Sequence, residues 1–139
     1  MATFVRFNSF LEAAFEKLHN LQSDTFVIFL CAAASAPSAS NTQLSNLTTA
    51  SYTNLSSRTL TVSSSSQSSG IYKWVVADIT LSASGGSVAA FRYVGIYNDT
   101  ATNDELVGYY DYGSDLTLAS GESLTVDFDG TNGVFTVGA

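Results

Sequence analysis

The stretch Leu124-Thr125-Val126-Asp127-Phe128-Asp129 alternates apolar and polar residues without interruption. Successive side chains of a β-strand point to opposite faces of the sheet, so this period of two predicts three buried apolar side chains and three polar ones that face water. Ser120-Gly121 precedes the stretch and Asn132-Gly133 follows it, and such pairs are typical of tight turns. The stretch therefore indicates a strand of an antiparallel sheet with one face in water.

Similar runs, separated by turn residues, fill most of the chain after Arg58. Earlier in the chain, Phe26–Leu30 is continuously apolar, which is typical of a strand buried on both faces. We predict a polar turn region at Ser63–Ser69 and a hairpin turn at Gly85-Gly86. About eight strands at short spacing predict a mainly β fold, an antiparallel β-sandwich or jelly-roll-like domain with one N-terminal helix. The other predicted strands are Thr59–Ser63, Ile71–Ala83, Val88–Asn98, Leu106–Tyr112, Leu116–Leu118 and Val134–Val137.

The residue pattern of the N-terminal segment predicts that this segment forms the helix. Ser9-Phe10-Leu11-Glu12 matches a capping box, in which the serine hydroxyl and the glutamate carboxylate each accept a backbone N–H at the helix start. Apolar residues recur after it at helical spacing and predict a stripe that packs on another element. We therefore expect a helix over Ser9–His19. Its apolar stripe consists of Leu11, Ala14 or Phe15, and Leu18.

Length and charge narrow the possible functions. The chain has 139 residues, with 12 Asp and Glu against 5 Lys and Arg, and a net charge of -7. Nucleic-acid binding and electrostatic membrane binding both require a basic surface, so both classes are excluded. The length matches one domain. Within it we expect residues 1–24 to form an N-terminal arm and helix and residues 25–139 to form the sandwich.

A single cysteine and a single histidine limit the chemistry. They exclude a disulfide framework, a Cys/His zinc site and a redox CxxC pair within one chain. Cys31 ends an apolar strand, where a thiol is structural and unreactive. His19 ends the predicted helix, where a positive charge is favourable, so we expect it to be exposed. We therefore predict no catalytic residues, no cofactor and no enzyme activity, with a small hydrolase as the weakest alternative.

The stretch Asp127–Gly133 resembles part of a calcium-binding loop. An EF-hand loop that begins at Asp127 requires a glutamate at its twelfth position, which is Gly138. We therefore predict two outward carboxylates before a turn, and no metal site. A weak cation site of another kind near Asp127 and Asp129 stays open.

The most apolar run, Phe26–Ala34, is too short to cross a bilayer, which takes about 20 residues. Ala34-Ser35-Ala36 imitates a signal-peptide cleavage site. However, acidic residues precede the run, where a signal peptide carries a short basic segment. We therefore expect a buried strand and no membrane partner.

Two groups of side chains are candidates for binding a partner protein. Residues 1–8 include Phe4, Arg6 and Phe7, and this segment is either an edge strand or an arm that docks on a partner through two apolar anchors and a cation. A later segment carries three tyrosines that are either half-buried packing residues or a rigid contact surface. These are Tyr109, Tyr110 and Tyr112.

Longer stretches of the chain carry a family resemblance. The second half contains Phe91–Thr100, Leu106–Gly113 and Gly121–Gly130, and the first half contains Leu18–Leu21 and Ser23–Thr25. Together these stretches resemble short structural proteins that are encoded in the virion gene clusters of tailed bacteriophages. The matching motifs are structural in character, and none is catalytic.

The resemblance implies a capsid decoration (cement) protein. Such a protein is a small β-sandwich, commonly a homotrimer, that binds the major capsid protein on the outer surface of the virion and stabilises the head. A cyclic trimer can engage three neighbouring capsid subunits at once, so avidity replaces strong single contacts. The alternative is a tail or head-fibre module that binds a host surface glycan, and the copy number in purified particles separates the two.

Overall fold

In a computed structural model, residues 2–138 are described and fold into nine strands and one α-helix. All the pairings between strands are antiparallel, which confirms the predicted mainly β fold class. The helix α1 spans Phe10–Phe15, and single 3-10 turns lie at Ala33–Ser35 and Leu44–Asn46. The strands are β1 (Phe4–Arg6), β2 (Phe26–Cys31), β3 (Val62–Ser68), β4 (Ile71–Val76), β5 (Ile79–Ser82), β6 (Phe91–Asn98), β7 (Leu106–Leu116), β8 (Ser123–Val126) and β9 (Phe135–Val137).

Four strands form the largest sheet, in the order β1-β7-β6-β2. β2 pairs with β6 along its whole length, and all six of its residues are buried. The prediction of a buried strand at Phe26–Leu30 is therefore confirmed. The outer edge of β2 is closed by residues 58–60, whose backbone groups form hydrogen bonds with Phe26 and Ile28.

Two smaller sheets, β3-β4-β9 and β5-β8, pack on one face of the four-stranded sheet. Trp74 of β4 is fully buried, and its ring centroid lies 5.0 Å from that of Phe26 in β2. The indole Nε1 donates a hydrogen bond to the carbonyl of Leu21 at 2.9 Å, so the one polar atom of the ring is satisfied. The result is a two-layer, sandwich-like core. Other fully buried side chains in it include Ile28, Leu30, Val76, Leu81, Phe91 and Ile96.

The opposite face of the four-stranded sheet is covered by the chain between β2 and β3. Leu44 and Leu47 of this segment pack on a cluster that contains the fully buried Phe29. The Ala50 N–H donates a hydrogen bond to the carbonyl of Leu30 at 2.7 Å, which ties the segment to β2. The sheet is thus buried on both faces, which explains why β2 is apolar throughout rather than alternating.

α1 is shorter than predicted and has no capping box. Ser9 has helical backbone angles, φ -75° and ψ -9°, and its side chain makes no capping hydrogen bond. A capping side chain normally reaches the helix N–H groups from an extended backbone, which Ser9 lacks. The helix ends early because Lys17 adopts a left-handed φ of 68°, and the Leu18 N–H then donates to the Ala13 carbonyl, as in a Schellman motif. The predicted capping box and the predicted helix end are both wrong.

The predicted strand Ile71–Ala83 is in fact two strands that belong to different sheets. Between β4 and β5, the Asp78 carboxylate accepts a hydrogen bond from the Phe128 N–H at 2.8 Å, and the chain leaves the first sheet there. The hairpin predicted at Gly85-Gly86 is also wrong, because β5 pairs with β8 rather than with β6. The two strands on either side of those glycines lie in different layers.

The serine-rich stretch Ser63–Ser69, predicted as a turn region, is mostly strand. β3 pairs with β4 as far as Ser68, and only Ser69 and Gly70 form the turn. Serine has a low intrinsic preference for strands, so this strand is imposed by its apolar neighbour β4 rather than by its own composition.

Candidate binding surface

An exposed apolar groove lies between α1 and β9. Its volume is about 280 Å³, and nearly all of its lining atoms are apolar. Phe15 is 80% exposed, more than any other large apolar side chain of the described residues. We call this groove the α1–β9 patch. It is lined by Phe10, Leu11, Ala14, Phe15, Leu21, Tyr72, Phe135 and Val137.

The patch exists because α1 has two apolar sides and buries only one. Phe10 and Ala13 are buried against the core. Of the predicted stripe, Ala14 packs partly on the core, whereas its alternative Phe15, and Leu11 and Leu18, are exposed. The predicted packing side of the helix is therefore wrong. A sequence signal for the patch does exist, since a helix that is apolar on both sides has more apolar surface than one contact can cover.

Two cations without partners lie beside the α1–β9 patch. The Arg6 guanidinium lies 5.7 Å from the centroid of the Phe135 ring, and its Nη1 is buried without a hydrogen-bond partner. The Lys17 side chain, just after the helix, makes no hydrogen bond or ion pair within residues 2–138. The two helix glutamates line a separate groove on the other side of α1. The patch therefore suits a partner that presents apolar side chains next to carboxylates.

The other three cations of the described chain are held internally. Lys73 Nζ donates to the Thr131 carbonyl at 2.8 Å, and Arg92 forms an ion pair with Asp111 at 2.7 Å. The Arg58 guanidinium donates to a backbone carbonyl of β2 and lies over the ring of Tyr52. Within residues 2–138, Arg6 and Lys17 are thus the two cations whose side chains form no hydrogen bond or ion pair.

His19 is buried in a polar cluster, so the prediction of an exposed histidine is wrong. Because α1 ends at Phe15, the following residues fold back over the core, and the imidazole stacks on Phe10 with centroids 5.3 Å apart. Its Nδ1 lies 3.0 Å from Nδ2 of the fully buried Asn98. Burial lowers the pKa of His19, and the nearby carboxylates of Glu105 and Asp24 oppose that shift.

The three tyrosines of β7 are divided between the two faces of the sheet. Tyr110 and Tyr112 pack on the core between the layers, and burial raises the pKa of Tyr110 to about 12. Tyr109 lies on the other face, where its ring centroid is 5.3 Å from that of Phe7. In this structure the tyrosines are packing residues, which was one of the two interpretations. Their contribution to partner binding stays a prediction.

The N-terminal segment forms the edge strand β1, one of the two predicted alternatives. Phe7 is only 2% exposed, and Phe4 stacks on Phe135 with centroids 6.3 Å apart. Of the three candidate docking residues, Arg6 borders the α1–β9 patch with its unpartnered guanidinium. Met1 lies outside the described residues. Docking through these three side chains stays a prediction.

Cys31 and His19 are not arranged as a catalytic pair. Cys31 is fully buried, and burial raises the pKa of its thiol to about 11, so the reactive thiolate is scarce at neutral pH. Cys31 pairs with Tyr93, whereas His19 contacts Asn98 at the other end of β6. Tyr93 and Asn98 are five residue steps apart along the strand, which is roughly 17 Å.

Asp129 holds the turn that precedes β9. Its Oδ1 accepts hydrogen bonds from the N–H groups of Asn132 and Thr131, at 2.7 and 2.9 Å. These bonds, with that from the Asn132 backbone foremost, lower the pKa of Asp129. Asp127 is exposed, as predicted. No group of three or more His, Cys, Asp or Glu side chains within residues 2–138 is placed to hold a metal ion.

Comparisons with protein-family models, with curated proteins and with solved structures find no match to this chain. The bacteriophage resemblance thus depends on the matching sequence stretches alone. In the part of the chain that the structure describes, no helix has the length and apolar character needed to span a membrane.

Proposed function

We propose that this chain is a non-enzymatic structural protein of a tailed-bacteriophage virion, which decorates the capsid by binding the major capsid protein. The observation that supports this function best is the exposed Phe15, which lines an apolar groove. An aromatic side chain on an ordered element is the usual anchor of a protein interface, because it buries a large area at a low entropic cost.

The β domain that carries the α1–β9 patch is suited to binding a capsid surface. The four-stranded sheet is covered on both faces, and its β2 strand is closed at its outer edge, so the domain is a stiff support for one exposed patch. The net charge of -7 keeps the remaining surface hydrated, while Arg6 and Lys17 beside the patch favour a partner with carboxylates. The proposed location is the outer capsid surface, while the homotrimer that the resemblance implies stays a prediction.

A binding experiment with capsids that lack the protein tests this function. Replacing Phe15 with alanine should weaken binding at least about tenfold, because the variant loses the aromatic anchor. The melting temperature should change by no more than about 2 °C, since an 80% exposed side chain contributes little to the core.

The matched control is Val5→Ala. Val5 is an apolar side chain that is 39% exposed, and on its strand it faces away from the side of Phe4 and Arg6. This variant should bind capsids as the unmodified protein does. Equal binding by all three proteins would contradict docking through the α1–β9 patch.

Copy number in purified particles tests the step from virion to capsid. A decoration protein follows the capsid lattice and is present in many copies, whereas a fibre module is present in few. Quantitative mass spectrometry against the major capsid protein gives this ratio. A few copies per particle would overturn the capsid proposal, and absence from particles would overturn the virion proposal.

A further inference from the structure

β3 is an edge strand whose outer side is open. It is the first strand of the three-stranded sheet and pairs only with β4. Apart from that pairing, the backbone of residues 63–71 forms no backbone hydrogen bond with any other segment within residues 2–138. Most of its side chains are exposed. The other outer strands are covered or shorter: β2 is covered by residues 58–60, β1 and β9 have three residues each, and β5 and β8 have four each.

The geometry of the hairpin identifies the open backbone groups. Ser69 and Gly70 have φ of 51° and 81°, the pattern of a two-residue type I′ turn. The pair next to such a turn, Ser68 with Ile71, is hydrogen-bonded, and hydrogen-bonded and non-hydrogen-bonded pairs then alternate along the ladder. Ser65 and Gln67 belong to non-hydrogen-bonded pairs, so their N–H and C=O groups point away from β4. The bond from the Val134 N–H to the Trp74 carbonyl agrees, because Trp74 is opposite Ser65 and must point its backbone groups away from β3.

This edge lacks most of the features that normally prevent strand addition. Natural edge strands are protected by charged side chains, proline, bulges or short length. β3 has seven residues with no charge and no proline, and its single irregularity, between Val62 and Ser64, leaves Ser64–Ser68 regular. Residues 59–77 carry one charge, Lys73, although the whole chain has a net charge of -7. Charge repulsion therefore opposes self-association only weakly along this edge.

We propose that β3 is a self-association site, at which the β3 strand of a second copy adds antiparallel across a twofold axis. A register centred on Ser66 pairs Ser65 with Gln67 of the second copy and Gln67 with Ser65 of the second copy, through four backbone hydrogen bonds. The two three-stranded sheets become one continuous sheet, and no acidic side chain of either copy lies on it.

This inference is independent of the capsid proposal and makes a different prediction from the resemblance. A twofold contact gives a dimer, whereas the resemblance implies a homotrimer. Light scattering over a concentration series distinguishes them, since the mass of one chain is 14.7 kDa. We expect the mass to approach that of two chains as the concentration reaches the high micromolar range.

The variant Ser65→Pro tests the backbone contact itself. Proline removes the outward N–H, which the hairpin does not use, and proline is tolerated at such positions of edge strands. The matched control is Ser65→Ala, which loses the same hydroxyl and its 2.7 Å hydrogen bond to Tyr72 but keeps the N–H. Loss of one hydrogen bond per copy should raise the dimer dissociation constant of the proline variant by about 30-fold relative to the alanine variant.

A second variant keeps the inference testable if the proline disturbs the hairpin. In Ser66→Glu, the new carboxylate lies opposite Lys73 of its own chain. In the dimer it also lies opposite the same carboxylate of the second copy, across the twofold axis, and the two repel each other. This variant should fold normally and dimerise more weakly than Ser66→Gln. A wild-type mass of one chain or of three chains would overturn the proposal. Equal dimerisation of Ser66→Glu and Ser66→Gln would also overturn it.

Discussion

The neighbours of His19 determine its tautomer. Asn98 Oδ1 accepts hydrogen bonds from the N–H groups of Thr100 and Ala101, so its amide nitrogen must face the imidazole. His19 Nδ1 is then an acceptor, the ring is neutral, and the proton is on Nε2, which is buried without a partner. A second proton on the ring would place an N–H against the Asn98 NH₂ group. Burial and hydrogen bonding therefore both favour the neutral ring.

The lowered pKa of His19 predicts that the protein loses stability in mild acid. In the unfolded chain the imidazole binds a proton near its ordinary pKa of 6.5, whereas the folded protein binds it only at lower pH. The unfolded state therefore holds more protons in this window, and the free energy of unfolding falls as the pH drops below 6.5. Urea unfolding at several pH values measures this slope. His19→Gln should show a smaller slope above pH 5, where few carboxylates titrate, and an unchanged slope would contradict the assignment.

Gly95 is a residue at which a single methyl group should be costly. It lies in β6 opposite Phe29, and a Cβ at this position would overlap the fully buried ring of Phe29. Gly95→Ala should reduce the free energy of unfolding by about 1–3 kcal/mol or more, because the ring has no space to move into. Gly130→Ala is the control, since a Cβ there meets no atom within 4 Å. Similar stability of the two variants in thermal unfolding would refute this account.

At the scale of elements, β1 is the part of the fold whose role is most easily tested. Phe7 follows β1 directly and is buried against Phe29 and Tyr109. Deleting residues 2–7 removes this side chain and the whole strand, so the melting temperature should fall by about 10 °C or more. Deleting only Ala2 and Thr3 should have a much smaller effect. A truncated protein that melts normally but fails to bind capsids would instead favour the docking arm.

The errors in predicting the elements have physical causes that the sequence does not display. Both sides of α1 are apolar, so helical spacing alone could not tell which one the core would bury. β3 has the composition of a loop, and only the presence of β4 beside it makes it a strand. By contrast, Phe26–Leu30 was predictable, because a continuous apolar run of that length is stable only where both faces are covered.

At the scale of the molecule, local patterns predict the class of fold but not the arrangement of its layers. The strand alternation around Val126 requires one buried face, and the structure provides it between the two layers. The cover formed by the chain between β2 and β3 could not be predicted, because this segment is rich in serine and threonine and holds the sheet with a few leucines. The α1–β9 patch depends on the arrangement of the layers too, since its residues come from α1 and the segment after it, from β4 and from β9.

The order of strands in the four-stranded sheet determines when the protein can begin to fold. Phe4 pairs with Tyr110 and Phe26 pairs with Asn98, so β1 and β2 are synthesised well before the strands with which they pair. At roughly 5–20 residues per second, the apolar β2 strand has no partner for several seconds of synthesis. Refolding, followed through the buried Trp74, should accordingly be slow for a chain of this size, on the order of milliseconds to seconds. While it lacks a partner during synthesis, β2 is the most aggregation-prone segment of the nascent chain, and we expect chaperones to bind to it.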